Sequence, residues 1–372
     1  MSEKKIISPK AKKYFPLVLG YIPVSFLLFF TAFMLMRFPS VTAQGISDGI
    51  DLSLGTLIPT LYPFMILSTL MVEQQVFDHI PKVLKNITKH LFGLDGSCHG
   101  VIILSFIGGL PIGCKTAAQM YESGKISRTA SRRLMLFCFC MGPAFAVSSV
   151  GLFMLSSPKA GFIIYASLIL SALTVGVLSR FFETEDCVFL PEKATDTKLP
   201  FSISLVRSVS DGSKAMLNVC AWVIIFSCIG KLTEVLPINE SLKFFFGCIL
   251  EVTNGAYLAS GNLPLPIIAG IIGFGGLCGH CQVMQYLIKL KLRYKYFLVA
   301  RIISGALSVI YCKILLDFFP VTYEVFSLGT LPSEKAFGIS SWVSLAMMFS
   351  AGLLLIGDST AIKIKTKKDH RV

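Results

Sequence analysis

Charge is what this sequence lacks. Lys, Arg, Asp and Glu together make up 15% of its 372 residues, against 54% apolar residues and a mean hydropathy of +0.72. Soluble domains carry about a quarter of their residues as charges, so a soluble globule is excluded and the bilayer is the main solvent. The 34 basic residues outnumber the 21 acidic ones, but they are scattered over short loops and the two ends. That pattern speaks against nucleic acid and for a topology signal in contact with membrane lipids. Also missing are a Gly-x-x-x-x-Gly-Lys-Ser/Thr phosphate loop, a hydrolytic triad and a paired-carboxylate site. The chain therefore reads as no enzyme, with no resident cofactor or metal. Work would be driven by a coupling ion, H+ or Na+, or by a partner. The cysteine count, 11, is odd, and Cys138, Cys140, Cys220, Cys228 and Cys312 lie inside apolar runs. Reduced thiols packed as small hydrophobes fit better than a disulfide framework.

What replaces the charges is a series of apolar runs: Tyr14–Met36, Leu54–Met71, Leu134–Leu155, Gly161–Leu178, Met216–Leu236, Phe297–Leu316 and Ile339–Ile356. Each approaches the roughly 20 residues needed to cross about 30 Å of hydrocarbon, and in lipid each must be helical. The expected fold is an all-α polytopic membrane protein. Lys4, Lys5, Lys10, Lys12 and Lys13 precede the first run, which reads as an uncleaved anchor with a cytoplasmic N-terminus. Seven crossings would put the basic tail, Lys363 to Arg371, on the far side. An eighth, Phe244–Ser260, would return it to the cytoplasm, and both counts stay open. Arg132, Arg133 and Arg301 begin spans and read as headgroup anchors.

A polar linker, residues 181–200, separates two similar halves, residues 41–180 and 201–358. The basic N-terminus with the first anchor (1–40) and the basic tail (359–372) flank them. Ile46-Ser47-Asp48-Gly49 is answered by Val209-Ser210-Asp211-Gly212, and Phe106-Ile107-Gly108-Gly109-Leu110 by Gly273-Phe274-Gly275-Gly276-Leu277. Around the second pair, Cys98–Leu110 is too short to cross, breaks at Gly-Gly-Leu-Pro-Ile-Gly and resumes at Thr116–Ser123. Leu263–Ile272 and Leu277–Leu290 repeat the scheme. Two re-entrant hairpins of half-helices, one per half of an inverted repeat, point to a transport site between them.

Half-helix N-termini attract anions. At the first break the candidate site residues are Gly108, Gly109, Pro111 and Gly113, with Lys115 adding an ammonium and Gln119 on the same face one turn on. In the second half they are Glu251, Thr253 and Asn254, which interrupt an apolar segment, then Gly275, Gly276, His280 and Gln282. Cys278-Gly279-His280-Cys281 also spells a redox dithiol. A thiol-disulfide oxidoreductase and a zinc site are minor alternatives, since nothing resembles a thioredoxin context. The place in the repeat makes these cysteines small packing residues.

Taken in order, Ser105-Phe106-Ile107-Gly108-Gly109-Leu110-Pro111-Ile112-Gly113-Cys114-Lys115, Glu122-Ser123-Gly124-Lys125-Ile126-Ser127, Gly142-Pro143-Ala144-Phe145, Glu251-x-Thr253-Asn254-Gly255 and Phe274-Gly275-Gly276-Leu277 with Gln282 resemble the sporulation integral membrane protein family YlbJ, also called SpoVV. The motifs run from about residue 40 to 320. That family carries the nucleoside-recognition Gate-type domain and resembles the core of concentrative nucleoside transporters. The resemblance implies a multi-pass protein of the cell membrane, the outer forespore membrane during sporulation. It implies movement of dipicolinate, a small organic anion, towards the forespore for cortex formation. A membrane scaffold of the spore envelope without transport is the alternative. A homo-oligomer or spore-envelope partners would suit either role. Where family members usually place polar residues before Gly-Pro, this chain has Phe139-Cys140-Met141.

Overall fold

The computed structural model describes Ser25 and residues 28–76, 82–181 and 199–321. Most of the expected anchor, most of the linker, the run Ile339–Ile356 and the basic tail lie outside these residues. Everything regular among the described residues is helical, as a chain with so few charges requires in lipid. The helices are α1 (Leu28–Arg37), α2 (Pro39–Leu52), α3 (Ile58–Glu73), α4 (Lys82–Ile87), α5 (His99–Gly108), α6 (Ile112–Glu122) and α7 (Arg128–Phe137). A π-helical segment, Ala144–Met154, follows. Then come α8 (Pro158–Leu178), α9 (Phe201–Glu234), α10 (Glu240–Leu250), α11 (Val252–Ser260), α12 (Leu265–Phe274), α13 (Gly276–Lys289) and α14 (Tyr294–Phe318).

Among the described residues four segments are long and apolar enough to cross a membrane: Pro158–Phe181, Phe201–Glu234, Leu265–Lys289 and Tyr294–Phe318. Lys85–Phe92 with Gly96–Gly108 would make a fifth, but the pair is bent by 106°. Two expected spans take other forms. Leu134–Leu155 is interrupted between α7 and the π-helical segment, where Gly142-Pro143 cannot extend a helix. Phe244–Ser260 is no crossing, because it folds back at Glu251 into α10 and α11. A methyl at Gly255 would lie 2.5 Å from Cys248 O, and one at Gly247 2.6 Å from Leu258.

The first hairpin therefore sits where it was expected and the second does not. The first is α5–α6, with Ser105 facing Gly113 across the turn and Ile112 N–H donating to Gly109 O at 2.8 Å. The second is α10–α11 rather than the Gly275-Gly276 segment. There the helix resumes at once after a single non-helical residue, so α12 and α13 run on as one broken length of 25 residues. In the first half a three-residue turn ending in Pro111 lets the chain reverse. Each half thus repeats one order: a long helix, a hairpin, a broken helix and a closing helix.

Long helices of the two halves pack on each other. Antiparallel α2–α3 and α9 approach so closely that a methyl at Gly45 would lie 2.7 Å from Cys228 Cα, and one at Gly49 2.7 Å from Ile224 Cα. Small residues permit this dispersion-driven packing in lipid. The Tyr62 hydroxyl bonds Ser213 Oγ at 2.9 Å. Displaced by the 163-residue offset of the two Ser-Asp-Gly motifs, that contact exchanges with Gly49–Ile224 to within one residue, the self-complementarity that a two-fold axis across the helices gives. On the other side α8 meets α14 through Ser171 Oγ to Ser304 O, 2.8 Å, and Thr174 Oγ1 to the Tyr311 hydroxyl, 2.7 Å.

Candidate functional site

Each hairpin tip is pressed into the break of the helix that follows it. Gly109, at φ +74°, lies so near Gly142 that a methyl would sit 2.5 Å from its amide nitrogen. In the second half Gly276, at φ +65°, leaves 2.8 Å between a would-be methyl and Val252 N, beside Glu251. The two halves then meet, since Gly279 packs on Leu110 and Phe139, and Gly275 on Phe139. Both Gly-Gly segments thus pack into one region of the protein, by unlike geometry.

Between them lies a cavity to which both halves contribute walls. The first hairpin contributes Gly108 and Leu110, the first break Met141, Gly142 and Phe145, and the second hairpin Glu251, Val252 and Thr253. Gln282 comes from α13, Ser149 from the π-helical segment, Leu57 from the π-helical turn Ser53–Leu57 between α2 and α3, Leu61 and Phe64 from α3, and Val219 and Val223 from α9. The walls are apolar with a few convergent polar groups, the usual constitution of a small-molecule site. Glu251, 4% exposed, is the ionisable side chain among these lining residues. Its carboxylate accepts the Thr253 N–H at 3.0 Å and the Asn254 N–H at 2.7 Å, capping α11 with both oxygens. Gln282, 7% exposed, donates from Nε2 to Cys278 Sγ at 3.4 Å.

Of the predicted site residues, Gly108, Glu251, Thr253 and Gln282 line the cavity, and Gly109, Gly275 and Gly276 form the contacts around it. Pro111 caps α6, and a methyl at Gly113 would lie 2.2 Å from Cys138 O, so both serve the turn. Asn254 takes part through its backbone. Lys115 does not face the cavity. It is buried and donates to Thr69 Oγ1 at 2.8 Å, tying the hairpin to α3. Gln119 is likewise outside the lining, with its Oε1 buried and unpartnered. His280 is behind the wall, bonded to the Tyr294 hydroxyl and to Phe274 O, both at 3.0 Å, and packed among Phe139, Phe274 and Phe297.

Two arginines read as headgroup anchors are internal caps instead. Arg301, fully buried in α14, donates to Phe139 O at 2.6 Å and to Leu136 O, the carbonyls released where α7 ends. Its guanidinium stacks on Phe139 and Phe297, 5.0 and 5.6 Å from the ring centres. Arg133 serves Phe92 O and Gly93 O in the same way. Arg132, partly exposed, reaches Leu290 O at 2.8 Å. The sequence signal was present: an arginine in the body of an apolar helix needs a partner. Its acceptors, backbone carbonyls 162 and 165 residues away, carry no residue code.

All ten cysteines among the described residues are free, Cys278 and nine others, and all but Cys281 are buried. No group of three metal-ligating side chains occurs among the described residues. We expect a double variant, Cys278→Ser with Cys281→Ser, to keep the solute uptake assayed below. Loss of uptake, with the protein still folded, would revive the dithiol.

No family model matches the chain, and no solved structure does. The sporulation integral membrane protein YlbJ of Bacillus subtilis (strain 168) is 23% identical over 332 residues, spanning 78% of this chain and 81% of that protein. The chain is similar to that protein over most of the length of both. Together with the apolar helices, this relationship makes it an integral membrane protein. The motifs that carry the resemblance build the hairpins and breaks: Gly108 to Lys115 the first tip, Gly142 to Phe145 the break it enters, and Glu251 to Gly255 the second tip.

Proposed function

We propose that this YlbJ relative is a transporter or permease for a small organic acid, working in endospore formation as the relative's name implies. The observation that carries the reading is the convergence of both hairpin tips and both helix breaks on one cavity. Irregular backbone inside an apolar helical body is tolerated where it is buried in protein or lines a cavity, and repeats that bring broken helices together hold the solute between them in secondary transporters. Transport, unlike catalysis, asks for no reacting group beyond those that bind.

Dipicolinate is the solute that the family resemblance suggests, with movement across the outer forespore membrane from a cytoplasmic side that also holds the N-terminus. Lys115 is not what would hold it. A carboxylate suits the N-terminus of α11 at the cavity wall, where two backbone N–H groups already hold one in Glu251. The aromatic ring suits the apolar wall. Purified protein in liposomes is expected to take up labelled dipicolinate, with or without an imposed ion gradient. No uptake of dipicolinate, nucleosides or other small organic anions under any gradient would overturn the reading.

A further inference from the structure

Glu251 is a buried carboxylate in an apolar protein, and no cation among the described residues neutralises it. Among the described residues no Lys, Arg or His pairs with it, and its bonds come from the Thr253 and Asn254 N–H groups and the Thr253 hydroxyl. The titratable group facing it is the Cys278 thiol of α13. The other walls of the cavity, from α3, α9, the first hairpin and the π-helical segment, bring no titratable side chain. Burying a lone carboxylate in such a place is costly unless it binds a proton or finds a counter-charge.

Its neighbour supplies a second observation. Gln282 is nine-tenths buried on the same wall, and its amide nitrogen is engaged by Cys278 Sγ. Its carbonyl oxygen then has no protein donor among the described residues. An acceptor oxygen beside a carboxylate selects a ligand that carries hydrogen, and a fully ionised organic acid carries none to give. The missing hydrogen has to arrive with it.

We propose that Glu251 is the coupling-proton site of this transporter: its carboxylate occupies the α11 N-terminus in place of the solute's own, and it takes up a proton from solvent when an organic acid replaces it there. The inference rests on the transport reading above. Protonation removes the negative charge that the Thr253 and Asn254 N–H groups hold. Those groups then turn to the incoming carboxylate, while the new Glu251 hydroxyl becomes a donor for Gln282 or for the solute. One proton therefore enters the cavity with each solute bound, so a fully ionised dicarboxylate leaves the site at minus two instead of minus three.

Two measurements on the full-length protein in lipid nanodiscs test this. Without solute, infrared difference spectra between acid and alkaline pH are expected to contain a protonated-carboxyl band that disappears in Glu251→Gln. Calorimetry with dipicolinate, in buffers of different ionisation enthalpy, is expected to give uptake of about one proton per molecule bound. Over the pH range where the probe is fully ionised and Glu251 is ionised in the solute-free protein, wild-type affinity then rises about tenfold for each unit of acidification. Glu251→Gln is expected to bind without proton uptake and without pH dependence, and Glu251→Asp to restore both should the amide variant misfold. Absence of the carboxyl band, or binding of dipicolinate with no proton taken up, overturns the coupling and leaves transport standing. No binding of dipicolinate at any pH overturns the solute reading and the coupling with it.

Discussion

Replacing Arg301 with Met is expected to destabilise the folded protein by about 3 kcal/mol, read as a lowered melting temperature in detergent. The side chain is 0% exposed, and it donates to two carbonyls that the end of α7 leaves without helical partners. Each orphaned buried carbonyl costs roughly 1–3 kcal/mol. Loss of the stacking on Phe139 and Phe297 adds about 1–2 kcal/mol at a desolvated site. Some of that total returns, because the variant no longer buries a charge. A cation at the C-terminal end of a helix also meets the negative end of its dipole, so Arg301→Lys should recover part of the loss through one carbonyl. Arg301→Met as stable as wild type would show that the break at residues 138–143 holds itself open without the guanidinium.

The sequence carried the class of the protein plainly and its internal geometry only in part. Scarce charge and long apolar runs are properties of whole segments, which is why α8 and α14 fell close to their expected places, while α9 starts well before the run Met216–Leu236 that it contains in large part. Breaks and reversals depend on one or two residues. Gly-Gly occurs at both Gly108-Gly109 and Gly275-Gly276, yet the first reverses the chain and the second only interrupts a helix. What distinguishes them is the following Leu110-Pro111 and the room that partner helices leave, and the latter is invisible locally. The second hairpin was hidden because Glu251 reads as polar loop or as a buried binding group with equal ease. In the fold it is both, since the carboxylate caps its own helix at the cavity wall. Gln282 was legible as a neutral polar group inside an apolar helix. His280 and Lys115, chosen on the same reasoning, satisfy themselves on Tyr294, Phe274 and Thr69 instead. Burial selects polar residues that have a task, but only the fold separates a task in binding from one in packing. The apolar lining, from Leu57 to Val223, has the same composition as the rest of the membrane-embedded core and offered no signal at all.

Gly109→Ala is expected to cost about 2–5 kcal/mol of stability and to abolish uptake of dipicolinate in liposomes. The backbone there, φ +74° and ψ −163°, belongs to a region that is essentially glycine-only and costs a residue with a side chain roughly 1–3 kcal/mol. A methyl would also meet Gly142 N at 2.5 Å, backbone against backbone, where no rotamer can relieve the contact. Overpacking of that kind adds about 1–3 kcal/mol. Because the tip wedges into the break between α7 and the π-helical segment, the strain is relieved by moving Leu110, Met141 and Gly142, all of which line the cavity. Gly124→Ala is the control: its φ of +73° carries a similar backbone penalty, but nothing lies within 4 Å of the added methyl. That variant should lose about 1 kcal/mol and keep its uptake. Equal losses in both variants would mean that the first tip is held by its own turn alone, and that its seat in the broken helix does not shape the cavity.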